Sequence, residues 1–286
     1  MGRYAIKTPP QNAKWEDMLA IWREADDIEL FESAWNFDHF YPIHGDPNGP
    51  CLEAWVTLSA LAQATSRIRI GSMVNGMHFR HPAITANMAA SLDIISGGRL
   101  YLGLGAGWQE QEASSYGLDL GTMTERMDRF DEGVEVIVRL LAQETTDFEG
   151  EHYRLSQARC EPKPIQRPHL PIAIGGGGEK RTLKTVARWA QWWDGLMADP
   201  EEWKHKHEVL TDHCEAIDRD PTEITCSVHV GYARGDDPEA LADAAAERFR
   251  VGVDVVVFSM RSPYDVSMIE PLAKALAAQE SVGASS

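Results

Sequence analysis

The sequence predicts an α/β fold of the (β/α)8 type, a TIM barrel. Short runs of β-branched and aliphatic residues alternate strictly with longer amphipathic segments, and eight such pairs follow one another along the chain. The length of 286 residues is close to the roughly 250 residues typical of this fold. A doubly wound open sheet competes, but it does not usually need eight units in a row or a helix after the last strand. We therefore expect one domain over residues 1–286, with a disordered tail over residues 280–286.

Four strand and helix pairs fill the first half of the chain. The strand runs are short and apolar, and the segments after them carry apolar residues at helical spacing. In order, YAIKT leads to WEDMLAIWREADD, LFESAWNF to LEAWVTLSALAQAT, RIRIGSMV to PAITANMAASLDIIS, and RLYLGLGAG to TERMDRFDEGVEVIVRLLAQ.

A short insertion is expected between the fourth helix and the fifth strand. The segment TTDFEGEHYRL predicts a polar excursion or a small hairpin, and the proline-rich EPKPIQRPHLP follows it. The alternation then resumes. LPIAIGG leads to EKRTLKTVARWA, WDGLMA to PEEWKHKHEVLTDHCEAI, TCSVHVGYA to PEALADAAAERFRV, and DVVVFSM to PYDVSMIEPLAKALAAQ.

Charge and composition exclude several classes of protein. The formal net charge is -17 and no basic run occurs, so the sequence predicts neither a nucleic-acid partner nor an anionic membrane surface. No apolar stretch is long enough to span a membrane, and the N-terminal MGRYAIKTPPQ lacks the apolar core of a signal peptide, which favours the cytoplasm. The four cysteines form no CxxC pair, so we expect reduced, buried thiols.

Four consecutive glycines, Gly175, Gly176, Gly177 and Gly178, stand between the fifth strand and its helix. Glycines that lead into a helix N-terminus leave backbone N–H groups unshielded, and the helix dipole adds positive charge, which predicts an anion site. Lys180 and Arg181 are disfavoured there by the same dipole, so we expect them to help hold a phosphate. The alternative is a mobile connector. The spacing is not that of a nucleotide-triphosphate loop.

Glycines also alternate after the fourth strand, at Gly103, Gly105 and Gly107. Their spacing does not fit a dinucleotide-binding fingerprint. Because glycine has no side chain, one face of the strand end is open, and a planar ring or another backbone can lie against it.

The end of the second strand carries the predicted acid/base pair, Asp38 and His39. Active sites of TIM barrels form at the carboxyl ends of the strands, and histidine titrates near neutral pH. A structural histidine is the alternative. His39, His44, His78 and His81 could be imagined as metal ligands, but none has a metal-binding spacing, so no metal is predicted. The histidines of the seventh unit, His205, His207 and His213, are expected on a solvated surface.

The order of these segments resembles the luciferase-like monooxygenase superfamily. The resemblance rests on DHF, IRIGSMV with an HP-led helix, DIISGGRLYLGLGAGW, PKPIQRPHLPIAIGGGGEKRTL and WWDG. Within that superfamily the chain looks most like the actinobacterial oxidoreductases that use the deazaflavin coenzyme F-420. The resemblance implies a TIM barrel whose open face binds a flat ring with a phosphate-bearing tail.

The resemblance also implies roles for individual residues. Ser72 and Met73 match a bulge that often contains a non-prolyl cis peptide against the ring, and Asp38 and His39 match a pair near the reactive carbon, with Asp38 orienting or charging His39. The remaining implied cofactor contacts are Asn75, Ala106, Gly107 and the glycines at 175–178.

One departure affects the substrate. Trp108 stands where the sugar-phosphate dehydrogenase of this family has an acidic proton donor, and Glu110 and Glu112 are close but out of register. We therefore expect an apolar or planar small substrate, in a pocket formed by Trp108 and His78.

The resemblance leaves the cofactor and the assembly open. FMN with a separate flavin reductase is the alternative to F-420. A metal-dependent TIM-barrel hydrolase and a non-catalytic cofactor-binding protein are weaker alternatives. A homodimer is expected.

Overall fold

The computed structural model describes residues 2–196 and 199–283, and their strands form a closed parallel barrel. Each barrel strand pairs in parallel with its neighbours, and the last pairs with the first, Arg3 lying opposite Val255. The barrel strands are β1 (Arg3–Lys7), β2 (Phe31–Asn36), β3 (Arg69–Ser72), β5 (Leu100–Gly105), β8 (Ile172–Gly175), β9 (Trp192–Asp194), β10 (Thr225–Tyr232) and β11 (Val255–Met260). The predicted (β/α)8 barrel is confirmed.

With the exception of one short helix, the helices follow the strands as the sequence predicts. They are α1 (Trp15–Asp27), α2 (Ala54–Ala64), α3 (Pro82–Ile95), α4 (Glu110–Ser115), α5 (Met123–Ala142), α6 (Thr182–Trp189), α7 (Pro200–Glu215), α8 (Pro238–Arg250) and α9 (Ile269–Gly283). Local sequence fixes their starts. Thr122 and Glu125 form a reciprocal capping box on α5, and His81 caps α3 ahead of a proline in its first turn.

The core lies in two layers. Tryptophan and small or β-branched side chains fill the barrel interior, where Trp35 stacks on Tyr101 and meets Trp192 edge to face. The Trp192 indole N–H donates to the hydroxyl of Ser227 at 2.8 Å, so this buried donor is satisfied. A second, larger cluster packs the helices on the outside of the strands.

The insertion is the predicted hairpin, formed by the antiparallel strands β6 (Thr146–Glu149) and β7 (Arg154–Ala158). The short helix α4 was not predicted, nor was the two-residue strand β4 (Asn75–Gly76), which pairs with the end of β5.

The predicted tail needs a correction. Residues 280–283 are the last residues of α9 and are therefore helical, and the rest of that segment, 284–286, lies outside the described residues. Residues 197 and 198, at the end of the predicted WDGLMA segment, also lie outside them. Within the described ranges, no helix has the length and apolar character needed to cross a membrane.

Candidate active site

A cavity of 590 Å³ opens at the carboxyl ends of the barrel strands, where sites of this fold form. Its wall includes three groups of residues from separate loops. The first follows β2 and includes Asp38 and His39, and the second includes Met73 and Val74 after β3. The third is the glycine loop after β8. The cavity therefore brings together the segments that the sequence selected.

His39 is held by a buried carboxylate, and that carboxylate is Glu112. His39 Nδ1 lies 2.7 Å from Oε2 of Glu112, whose side chain is 0% exposed. The other carboxylate oxygen accepts hydrogen bonds from the backbone N–H groups of Phe40 and Tyr41. Burial alone would raise the pKa of Glu112, but the hydrogen bonds from His39 and Phe40 outweigh it and hold that pKa below its ordinary value.

This pairing sets the proton arrangement of the imidazole. An ionised Glu112 can only accept, so Nδ1 of His39 carries the hydrogen and Nε2 of the neutral ring is an acceptor. The ring lines the cavity, and no described residue hydrogen-bonds its Nε2. His39 is therefore arranged to take a proton from a bound molecule.

The prediction that Asp38 orients His39 is wrong. Arg80 donates two hydrogen bonds to the Asp38 carboxylate, at 2.6 and 3.1 Å, and a third to Glu53 at 2.7 Å. Burial raises the pKa of Asp38, and the Arg80 guanidinium opposes that rise. Asp38 thus links the end of β2 to the loop after β4. The partner of the histidine is Glu112, which in sequence is out of register with the family's acidic proton donor.

The bulge after β3 lies one residue further along than expected. The cis peptide bond joins Met73 to Val74 and not Ser72 to Met73. Met73 and Val74 line the cavity. Ser72 and Asn75 lie beneath it: the Asn75 amide donates to the carbonyl of Gly103 at 2.7 Å, while Ser72 Oγ and Asn75 Oδ1 are buried without a described partner.

The alternating glycines after the fourth strand make room for protein. A Cβ on Gly103 would lie 2.0 Å from the carbonyl oxygen of Ser72, and one on Gly105 would lie 2.7 Å from Val74 Cγ2. The backbone alternative therefore holds at Gly103, whereas the neighbour of Gly105 is a side chain and Gly105 also lines the cavity.

The two predicted substrate-pocket residues come from different loops, His78 from the loop after β4 and Trp108 from the loop after β5. His78 packs over Gly107, which has a φ of +89° and whose Cβ would lie 2.2 Å from His78 Nδ1. Trp108 is 58% exposed and meets His39 edge to face, with ring centroids 5.7 Å apart. Both side chains line the cavity, as does Ala106.

The glycine loop has the properties of an anion site. Gly176, at φ +118°, donates its N–H to the carbonyl of Asp194, and its own carbonyl accepts from the indole of Trp193. The N–H groups of Gly177 and Gly178 donate to no described residue, and α6 begins without a side-chain cap. Gly175, Gly176 and Gly178 line the cavity, whereas Gly177 does not.

The expected phosphate role of Arg181 is wrong. Its guanidinium forms 2.6 Å ion pairs with Asp128 and Asp131 on α5, so the side chain ties α6 to α5. Lys180 is exposed and forms no ion pair with a described residue. Neither side chain lines the cavity.

Helix α7 anchors the same loop through Glu179. The Glu179 carboxylate pairs with Lys206 at 2.6 Å and with His205 at 3.1 Å, and His213 bonds the Glu179 carbonyl at 2.7 Å. The expectation of solvated histidines on α7 therefore holds only for exposed His205, since His213 is a loop anchor and His207 stacks on Trp203.

Sequence reasoning missed a charged cluster that also lines the cavity, formed by Lys7, Asp194 and His229. His229 Nε2 lies 3.1 Å from Asp194 Oδ1 and 3.3 Å from the Met73 sulfur. Burial lowers the pKa of Lys7, whereas His229 and Lys7 hold the pKa of buried Asp194 down against its burial. Each residue lies at or near the carboxyl end of a strand, the one signal that could have selected it.

No cluster of three or more metal-ligating side chains occurs among residues 2–196 and 199–283. The metal-dependent hydrolase alternative therefore has no supporting observation in the described part of the chain.

A closed β/α barrel with a charged cavity at the carboxyl ends of its strands defines the class of TIM-barrel enzymes. The chain belongs to the luciferase-like monooxygenase family, whose sequence profile matches residues 3–282. The resemblance stated from the sequence motifs is thereby confirmed.

Several proteins are similar to this chain, and some of them are named as F-420-dependent enzymes. An uncharacterised protein of Mycobacterium tuberculosis is 31% identical over 83% of each chain. The F-420-dependent hydroxymycolic acid dehydrogenase of the same organism is 30% identical over 82% of this chain and 64% of its own length. The structure of an F-420-dependent secondary alcohol dehydrogenase with an F-420-acetone adduct superposes with a TM-score of 0.84 at 21% identity, covering 97% of this chain and 99% of that one. At that identity the superposition establishes the shared fold.

Proposed function

We propose that the protein is an oxidoreductase that transfers a hydride between the deazaflavin coenzyme F-420 and a small organic substrate. The observation that carries this proposal is the presence, on one cavity, of a carboxylate-held His39 and a glycine loop with free N–H groups. The F-420-dependent dehydrogenase among the relatives supports the choice of cofactor.

The residues present fit a planar cofactor with a phosphate-bearing tail. An anion at the start of α6 would satisfy the free N–H groups of Gly177 and Gly178 and would lie at the positive end of the helix dipole. The cavity volume of 590 Å³ lies within the roughly 300–1,000 Å³ of small-molecule sites. When bound, the deazaflavin would supply the carbon that accepts or donates the hydride.

The protein's own part is proton transfer. Oxidation of an alcohol to a carbonyl compound releases one proton together with the hydride, and we assign the proton to Nε2 of His39. Glu112 balances the positive charge that then forms on the imidazole, because its carboxylate is 2.7 Å from Nδ1. In the reverse direction the same nitrogen returns the proton. A positioned base of this kind contributes about 100- to 10,000-fold to the rate.

The cavity wall favours a substrate with an apolar or planar body. Trp108 stands beside His39, and Phe37 and Phe79 lie at the same end of the cavity, at 4.9 and 6.5 Å between ring centroids from His39. A flat or aliphatic group can pack on these rings while its hydroxyl or carbonyl group faces the histidine.

An FMN-dependent monooxygenase that takes reduced flavin from a separate reductase is the second candidate. The family includes luciferase-like monooxygenases, and FMN carries a tail phosphate that would suit the same glycine loop. Reduced FMN reacts readily with oxygen and reduced deazaflavin hardly does, so oxygen consumption separates the two functions.

The proposed function is tested by screening alcohols and ketones with F-420 and following the change in its absorbance, anaerobically and in air. We expect turnover that is independent of oxygen and that disappears in His39→Ala. Turnover only with reduced FMN and oxygen would replace this function with the monooxygenase, and binding of F-420 without turnover of any compound would favour a carrier.

The homodimer and the cytoplasmic location stay predictions. The homodimer can be tested by light scattering.

A further inference from the structure

A second, smaller pocket adjoins the main cavity, and the proposed function does not use it. Its volume is 260 Å³, enough for several water-sized groups of about 30 Å³ each. Three arginines and two histidines line it, namely Arg80, Arg126, Arg129, His78 and His81, and its described lining includes no carboxylate. His78 and Ala106 line both the pocket and the main cavity, so the two spaces adjoin at these residues.

Arg126 is a buried cation without an anionic partner among the described residues. It is 7% exposed, and no carboxylate of a described residue lies within ion-pairing distance. Two guanidinium nitrogens make long contacts, 3.2 and 3.4 Å, to the carbonyls of Gly107 and Gly121, and Nε has no described partner. Buried charges in proteins are normally paired, because an isolated charge away from water is costly.

The neighbouring groups add positive charge that is weakly compensated. Arg129 bonds the carbonyl of Asp119, whose exposed carboxylate is 4.0 Å away. Burial lowers the pKa of His78 to about 4, so this ring is neutral near pH 7, and neither of its nitrogens has a described partner. Arg80, in contrast, is neutralised by Asp38 and Glu53. The pocket therefore presents two cations and an unused imidazole, in a chain whose formal net charge is -17.

We propose that this pocket binds a carboxylate or phosphate group of the molecule in the main cavity. Guanidinium groups form the strongest pairs with these planar or multivalent anions. The binding of an anion in this pocket is inferred independently of the proposed function. The inference rests on the proposed function only where it identifies the bound molecule as the substrate or the cofactor. The substrate class is then an acid-bearing compound, with its apolar body against Trp108 and its acidic end beside Arg126 and Arg129.

The first test measures binding of benzoate and of its neutral isostere benzamide to the whole protein without cofactor, by calorimetry at matched salt. We expect benzoate to bind at least about tenfold more tightly. Arg126→Met and Arg129→Gln should each reduce this ratio toward one. Arg154→Gln is the matched control, because Arg154 is exposed on the hairpin and pairs with Glu149 outside the pocket.

Equal binding of the two compounds by the wild type, or binding of neither, would overturn the proposal, as would an unchanged ratio in both pocket variants. Arg129→Gln keeps the test decisive if Arg126→Met does not fold, because the Arg129 side chain is 22% exposed and less embedded. Since this test uses no deazaflavin, its failure is distinct from a failure of the proposed function.

A second titration identifies the source of the acidic group. Preference for benzoate that persists in protein saturated with F-420 assigns the pocket to the substrate. If the preference for benzoate disappears when F-420 is bound, but remains when a deazaflavin without the phosphate-bearing tail is bound, the pocket is assigned to the acidic tail of the cofactor. Both results support an anion pocket.

Discussion

Replacement of Glu112 by glutamine tests how the cavity controls the His39 proton. The glutamine side chain would keep the shape of the wild-type one, and its carbonyl oxygen could still accept from the N–H groups of Phe40 and Tyr41. Its amide would, however, present N–H groups to Nδ1 of His39, which lies 2.7 Å from the carboxylate in the wild type. Nδ1 would become the acceptor and Nε2 would carry the hydrogen.

The expected loss of rate is about 100- to 10,000-fold, the contribution of a positioned general base. The loss should appear in kcat with little change in the affinity for F-420, because Glu112 does not line the cavity. Stability should fall by about 2 kcal/mol, since the hydrogen bond with His39 loses its charge assistance and those from Phe40 and Tyr41 are weakened.

The pH dependence of this stability difference has a definite sign. The folded-state pKa of Glu112 lies below its ordinary value, so the carboxylate stabilises the fold above the unfolded pKa of about 4.3. That stabilisation is lost as the pH falls through the folded pKa. Wild type and Glu112→Gln should therefore differ by a constant amount above about pH 5 and converge in acid.

Urea unfolding from pH 3 to pH 8 measures the stability difference, and nitrogen NMR of the imidazole reports which ring nitrogen of His39 carries the hydrogen. Glu110→Gln is the control, because Glu110 lies exposed on the same helix. A normal rate in Glu112→Gln, or Nδ1-protonated His39 in that variant, would refute the assigned role of the pair.

Three further substitutions have defined outcomes. His39→Ala should abolish turnover and leave F-420 affinity within about tenfold, as measured by steady-state kinetics and fluorescence titration. Gly103→Ala should destabilise the protein by about 1 to 3 kcal/mol or more in urea unfolding, because the added Cβ would lie 2.0 Å from a backbone oxygen. Gly231→Ala is the control and should be tolerated, because its Cβ would lie 3.8 Å from the nearest neighbouring atom. Arg80→Met should cost about 3 to 5 kcal/mol at neutral pH, because it leaves Asp38 buried without its cation.

Each outcome can be contradicted. A large loss of cofactor binding in the histidine variant would make His39 a binding residue. Equal stabilities of the two glycine variants would show that the bulge is free to move, and a normal stability of the arginine variant at neutral pH would show that Asp38 is protonated or solvated.

The sequence predicted the barrel because its alternation of strand and helix patterns is regular over the whole chain. The polar, turn-forming composition of the insertion indicated a possible hairpin, and the rule that TIM-barrel sites form at strand ends selected His39 and the glycine loop. The helix α4 was not predicted, since its six residues lie in a polar loop where no sustained periodicity develops.

The sequence alone could not identify side-chain partners that lie on different loops. Asp38 is adjacent to His39 in sequence, yet side chains of neighbouring residues in an extended segment point in different directions. The partner of His39 is Glu112, 73 positions away, and Asp38 instead pairs with Arg80. Only the three-dimensional arrangement of the loops after β2, β4 and β5 brings these charges together.

Glycine roles were ambiguous for a similar reason. A glycine signals close approach, but the sequence does not say what approaches. At Gly103 and Gly105 it is the bulge after β3, whereas in the loop after β8 the N–H groups of Gly177 and Gly178 donate to no described residue. Arg181 was misassigned because its acidic partners lie on α5, 53 and 50 positions earlier.

The most direct test of the central claim is a side-by-side titration of the cofactor-free protein with F-420 and with FMN at matched salt, by calorimetry or fluorescence quenching. The account predicts tight binding of F-420, weak binding of FMN, and loss of the F-420 affinity when a side chain is placed on the loop in Gly178→Val. Tight binding of FMN with weak binding of F-420, or binding of neither, would contradict it.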